Sequence, residues 1–409
     1  MHPPTSFARR SSAAIALLLL AAPAHAQLKL GAIGDSLTDE YFEEDYSYAK
    51  NWTVLLVQHR GVNMGPTAAA AGVPSGWGEP RRSGYRFNWA RYGADSSSAI
   101  DDGQHTGLAA QVDTDGVTHA VVAIGANDFS PTTGAYFNIY WGLWSQSQIN
   151  NYVAGQIADV DAAIAPLDSA GVGLIICNYA DFGIAPVTRQ FYTNATRRNR
   201  VTAAIAQVNA GVLNLARQRR AIHVDLGALG TTLFGINTSL RQFLPIGGIN
   251  IQLFNRDTVV HGNPLAGFVD DGAHPHTTVQ GAFANTLMTA LNIEAHAGLP
   301  LFTDAEILAN AGIAVPPGAG QTLDTVIGPG GYTRFIRNFR CPADLGAQGG
   351  LAGPDGLYDN NDFIVFIDAF FVQSATADVG RQGGLAGGDG VLDNNDFVAF
   401  IDQFFQGCT

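Results

Sequence analysis

The stretch Leu28-Lys29-Leu30-Gly31-Ala32-Ile33-Gly34-Asp35-Ser36-Leu37 decides the fold. Its apolar residues run as a short strand and break at Gly34, and Ser36 follows at the strand's end, before a predicted helical turn. A glycine there permits a tight bend. Backbone N–H groups at the start of a following helix can stabilise negative charge, so a serine in this place can act as a nucleophile. The plainer alternative is that Ser36 caps a helix.

Working outward, the 409 residues predict two or more domains. Hydrophobic residues at 46% against 14% charged suit a sizeable folded core. The net charge of −13 argues against nucleic acid as a partner. At the N-terminus, Arg9-Arg10, the apolar run Ala13 to Ala22 and Ala24-His25-Ala26 read as a secretion leader over residues 1–26, cleaved near Ala26. The run is too short for a permanent anchor, and no later stretch is long and apolar enough to span a membrane. A secreted or cell-surface protein without a transmembrane anchor is therefore expected. Cys177, in an apolar run, reads as a buried free thiol. Cys341 and Cys408 bracket the C-terminal tail and, in an oxidising compartment, would clamp its two ends.

Predicted strands alternate with predicted helices. Helical patterns cover Tyr48 to Gln58, Ile149 to Ala170, Arg197 to Arg217 and Thr277 to Ile293; strands cover Thr118 to Ile124, Val172 to Cys177 and Ala221 to Asp225. Gly61 to Gly84 reads as loop. This alternation predicts crossover units and a parallel sheet covered on both faces. Such sheets bind ligands at the carboxyl ends of their strands. Ser36, Asn127 and Asp181 each lie just after a predicted strand.

Ester hydrolysis needs a nucleophile, a base, a group that orients the base, and donors for an oxyanion. The best base is His274 in Asp270-Asp271-Gly-Ala-His274-Pro-His276, with Asp271 three residues before it. Asp270 and His276 are rivals to that pair. Asp35 reads as structural, Asp181 as either a pocket-lining or a solvated loop carboxylate, with the second favoured, and His105, His223 and His261 as packing or surface residues. Trp141 and Trp144 lie in an aromatic stretch that suits either a substrate groove or a packed loop.

Four blocks stand in order: Gly34-Asp35-Ser36-Leu37, Asn88-x-Ala90-x-x-Gly93, Gly125-x-Asn127-Asp128 and Asp271-x-x-His274-Pro275. In this the chain, from Leu28 to Ala295, closely resembles the SGNH hydrolase superfamily, also called the GDSL esterase/lipase family. The resemblance implies an α/β protein, a three-layer α/β/α flavodoxin-like parallel sheet. By position it makes Ser36 the nucleophile, His274 the general base and Asp271 its orienting group. The N–H groups of Ser36 and Gly93 and the Asn127 amide would form the oxyanion hole. No cofactor is implied for catalysis.

The tail from Cys341 to Thr409 holds ten Asp, no Glu or Lys, and one Arg, Arg381. It repeats with a period of 34 residues around Asp-Gly-x-x-Asp-Asn-Asn-Asp-Phe. Hard oxygens around a tight glycine turn suit calcium. With Asp355 at loop position 5, Gly356 falls at 6, the Leu357 carbonyl at 7, Asp359 at 9 and Asp362 at 12. Asp389, Gly390, Val391, Asp393 and Asp396 repeat that register, and Asp344 and Asp378 are the upstream carboxylates. A helix with a Phe stripe follows each loop. This resembles dockerin-type and EF-hand-like modules, departing from them in the Gly-rich insertion Gln348 to Pro354. The resemblance implies structural calcium and a protein partner.

The expected organisation is a leader (1–26), a catalytic domain (27–295), a linker or extension (296–340) that either packs on it or acts as a spacer, and a small α-helical calcium-loop module (341–409). The expected function is a secreted serine esterase acting on an ester substrate such as acetylated polysaccharide, hence a carbohydrate deacetylase. The alternatives are a lipase or phospholipase of the same family acting on lipid, and a non-catalytic secreted binding protein.

Overall fold

Four short apolar runs pair side by side as strands β1 (Leu30–Gly34), β2 (His119–Ala123), β3 (Gly173–Cys177) and β4 (Ile222–Val224). All three pairings are parallel. The structure, a computed structural model, describes residues 28–256 and 262–406; the expected leader, His261 and Cys408 lie outside them. Side chains alternate across the sheet as the pleat requires. Leu30, Ala32, Val121, Ile175, Cys177, Ile222 and Val224 face one buried layer, with the Trp52–Arg60 and Thr277–Ala295 helices. Ile33, Ala120, Val122, Leu174 and Ile176 face the other, with the Gln104–Asp115, Gln146–Ser169 and Ala195–Gln218 helices. The three-layer α/β arrangement follows.

Both sheet edges depart from a run of regular parallel strands: one has bridges in place of a strand, the other an antiparallel strand. Beyond β1, Lys29 and Ala32 make isolated parallel bridges to Asn63 and Asn88. The Gly- and Pro-rich chain between those two residues supplies bridges where a doubly wound sheet would carry another strand. At the far edge, β5 (Ile336–Asn338) pairs antiparallel with β4. That strand comes from the expected linker, which is therefore part of the core. The Thr277–Ala295 helix shows why: every residue from Thr277 to Leu291 is buried. Its outer face is covered by the segment that follows. Asn285 and Phe302 exchange side-chain and backbone hydrogen bonds of 3.0 and 2.7 Å, and Ile307 packs on Gly281.

Local chemistry moves other boundaries. The first helix begins at Trp52, because the Asn51 side chain accepts from the Val54 N–H, and it ends at Gly61, whose φ is +66°. The aromatic stretch is a helix, Gly134–Trp141, burying Tyr136, Ile139 and Tyr140 and leaving Phe137 and Trp141 exposed. Trp144 packs on Tyr152. Cys177 is a free, buried thiol.

The tail is not all helical. Each repeat is a two-stranded hairpin (Gly346–Ala347 with Leu351–Ala352, and Gly380–Arg381 with Leu385–Ala386) followed by a helix, Asn360–Phe371 or Asn394–Gln406. The Gly-rich insertion makes the hairpin: Gly349 and Gly350 take φ of +85° and +72° at its turn. The helices meet through Phe366 and Phe400, stacked with centroids 4.0 Å apart.

Candidate active site

Ser36 sits in the turn after β1. The Asp35 side chain accepts from the Leu37 N–H (2.9 Å), and its carbonyl accepts from the Thr38 and Asp39 N–H groups. These bonds hold Ser36 at the carboxyl end of the sheet and give Asp35 the structural place expected of it. Asp35 is buried, and burial pushes its carboxyl up to about 6 against the opposing pull of the Leu37 N–H and the His274 charge.

His274 reaches Ser36 from the far end of the catalytic region: Nε2 lies 2.6 Å from the Ser36 Oγ. Its Nδ1 is hydrogen-bonded to Asp271 Oδ2. Asp271 Oδ1 accepts from the Ala273 N–H (2.7 Å) and the His274 N–H (3.0 Å), so one carboxylate shapes the loop and grips the ring. Burial pushes the Asp271 carboxyl up, but the bonds from His274 and the two N–H groups outweigh it and hold it below the usual range. The rivals lie elsewhere. His276 caps the Thr277–Ala295 helix, and the Asp270 N–H donates to the Tyr48 hydroxyl.

The middle blocks are tied to the first. Asn88 donates to the Thr38 carbonyl (2.8 Å), and the Arg91 N–H donates to the Gly34 carbonyl (3.0 Å). This places Gly93, at φ +77°, in open space, where a Cβ would meet nothing within 4 Å. Asn127 donates one amide hydrogen to the Ala94 carbonyl (2.9 Å), next to Gly93, leaving the other for a ligand. Asp128 takes a separate role. It accepts from the Ser96 N–H and hydroxyl and from the Tyr179 hydroxyl, and burial pushes its carboxyl up to about 7.

Asp181 is half-buried rather than freely solvated, and it lines the slot described below. It accepts from Thr202 Oγ1 (2.6 Å) and the Gly183 N–H (2.7 Å), and burial pushes its carboxyl up. His223 is a buried packing residue, as read, with its pKa lowered by burial to about 4. An apolar slot of about 40 Å³ adjoins the serine and histidine loops, lined by Leu37, Phe182, Phe234, Ala273, Pro275 and Phe283 among others.

Sequence reasoning missed an acidic group beside the site. Among the described residues, Asp39, Glu40 and Glu43 are the one set of three or more metal-ligand side chains whose ligand atoms converge within 4.8 Å. Arginines already meet it: Arg82 lies 3.3 Å from Asp39 and 3.3 Å from Glu43. Asp39 also accepts from the Tyr92 N–H at 2.7 Å, just before Gly93. The tail carboxylates named as metal ligands do not converge in this way. Asp344 accepts from the Asp355 and Gly356 N–H groups, and Asp362 from those of Leu345, Gly346 and Asp359. A carboxylate beside a turn takes the turn's own N–H donors.

Residues 30–287 match the family model described as GDSL-like Lipase/Acylhydrolase. The chain belongs to this family. It is accordingly an ester-bond hydrolase, with the four blocks of the GDSL-like fold folded around one site. A solved structure of an extracellular lipase from Streptomyces rimosus aligns with 64% of this chain and 99% of its own, at 16% identity and a TM-score of 0.34. No curated protein matches the chain. Among the described residues, no helix is long and apolar enough to cross a membrane.

Proposed function

We propose that this GDSL-like hydrolase is an exported serine esterase that removes short acyl groups through an acyl-enzyme. The observation that carries the reading is the contact of His274 Nε2 with the Ser36 Oγ at 2.6 Å, with Asp271 bonded to the other ring nitrogen. His274 takes the proton as Oγ attacks the ester carbonyl. The oxyanion is met by the N–H groups of Ser36 and Gly93 and by Asn127, each such donor worth about 100- to 1,000-fold in rate. His274 then returns the proton to the leaving alcohol and activates the water that hydrolyses the acyl-enzyme. The apolar slot beside the serine and histidine loops would take the acyl group, and the dockerin-like tail favours a deacetylase, on acetylated polysaccharide, over a lipase or phospholipase.

The tail, in this reading, holds calcium at two equivalent loops. Its support is repetition: the bonds from Asp344 to the Asp355 and Gly356 N–H groups recur from Asp378 to those of Asp389 and Gly390. The hairpin insertion carries Asp344, and in the second repeat Asp378, to the head of its loop. Calcium would be held by oxygens of Asp344, Asp355, Leu357, Asp359 and Asp362, and of Asp378, Asp389, Val391, Asp393 and Asp396, and would neutralise carboxylates that now repel one another. A Cys341–Cys408 bond would close the unit. The exposed pairs Leu351 and Leu385, and Phe371 and Phe405, recur 34 residues apart and suit a protein partner.

The test is hydrolysis of p-nitrophenyl esters from acetate to long acyl chains by the mature protein and by Ser36→Ala. Activity confined to short chains and lost in the variant is expected. A preference for long chains would move the reading to a lipase, and equal rates in both proteins would remove Ser36 from the mechanism.

A further inference from the structure

Three tyrosines gather around His274. The Tyr46 ring lies 5.1 Å from the imidazole with 26° between the planes, and the Tyr92 ring lies 5.6 Å away at 31°. Tyr41 meets the imidazole edge-on at 6.0 Å and Tyr46 edge-on at 4.9 Å. Each tyrosine belongs to a differently anchored segment. The Tyr41 hydroxyl donates to the Pro275 carbonyl (3.2 Å) and accepts from Gln280 (2.9 Å). The Tyr92 N–H is held by Asp39, which Arg82 contacts in turn. Tyr46 is buried, whereas Tyr92 is 42% exposed.

We propose that Tyr46 and Tyr92, braced by Tyr41, are positioning residues that hold the His274 ring against Ser36 and stabilise the imidazolium formed during catalysis. The inference rests on the Ser36–His274–Asp271 reading above. When the Ser36 Oγ–H bond breaks and the proton moves to Nε2, a cation appears on a side chain only 6% exposed. Water does little for it there. Asp271 balances the charge from the Nδ1 side, and ring faces attract the cation from beyond the hydrogen-bonding plane. The titratable groups facing the ring are Asp271 from its own loop, Asp35 from the end of β1, and Tyr41, Tyr46 and Tyr92. Glu44 stands behind both Tyr46 and Tyr92, and Asp45 behind Tyr92. Tyr92 also precedes Gly93, so one peptide joins the histidine's support to the oxyanion loop.

The experiment compares Tyr46→Leu, Tyr92→Leu, Tyr46→Phe and Ser36→Ala on p-nitrophenyl acetate, measuring kcat and KM from pH about 5 to about 9. Each Leu variant is expected to lose about tenfold in kcat with KM nearly unchanged, and its acid limb to move to lower pH by up to about one unit. Tyr46→Phe keeps the ring face and should stay within about twofold of the parent. Tyr92, being partly exposed, tests the idea even if Tyr46→Leu does not fold. Folded Leu variants with unchanged kcat and pH profile would overturn the clamp while an inactive Ser36→Ala left the triad standing. An active Ser36→Ala would instead remove the triad on which the clamp depends.

Discussion

Asp271 beside the serine and Asp344 in the tail share one hydrogen-bonding pattern and end with opposite acidities. Each carboxylate accepts from two consecutive backbone N–H groups, Ala273 and His274 in one case, Asp355 and Gly356 in the other. Burial pushes both upward. At Asp271 the bonds and charge of His274 reverse that push. At Asp344 the carboxylates of Asp362 and Asp355 add to it, and the group reaches about 7. Backbone donors can shape a loop around either residue. The companion charge decides whether the loop is complete as it stands or invites a cation.

The hardest test of the comparison is Asp271→Asn. The amide keeps an oxygen for the loop but cannot stabilise the imidazolium, so kcat should fall about 10⁴-fold with a well-folded protein. A loss below about tenfold, in steady-state kinetics, would mean that another group orients His274. A smaller effect is expected at Asp344. Its folded pKa is raised, so its contribution to stability is full below its ordinary value and is lost as pH rises through about 7. In chelator, the tail's unfolding temperature should drop between pH about 4 and 7, by several degrees, and calcium should restore it at the upper end. Asp344→Asn should flatten that drop; a calorimetric profile that stays as steep would detach it from carboxylate repulsion. The smallest effect belongs to Asp378→Asn. Asp378 makes the same two bonds in a more exposed loop. At a single pH the substitution should lower the unfolding temperature by about 1 °C through its two weakened loop bonds, and a loss of several degrees would show that exposure does not divide the repeats.

Much of the catalytic half was legible in the sequence because its blocks encode backbone requirements. Gly93 must take positive φ, strands β1 and β3 are continuous apolar runs and β2 is one after His119, and Asp271 precedes His274 by the span of one tight loop. The parts that escaped had no periodic signal. Strand β5 is three residues long, too short to show alternation, and Pro316-Pro317 upstream suggested a spacer. The clue was the Thr277–Ala295 helix, apolar on most sides, which a two-layer burial explains. Tyr41, Tyr46 and Tyr92 escaped for a related reason. They lie in short turns, and only the tertiary fold brings them to His274. Asp181 looked solvated because its partner Thr202 lies on a helix 21 residues away.

The antiparallel strand at the sheet edge gives the tail a very short stalk. Only Phe339 and Arg340 lie between Asn338 and Cys341, three residue steps with a reach of about 10 Å fully extended, and the Tyr358 hydroxyl donates back to the Asn338 carbonyl. A tail fixed to a solid surface would not let the hydrolase roam on a long leash. It would hold the serine at a set height and tilt, like a tool on a rigid handle, so the anchoring point would choose which esters come within range.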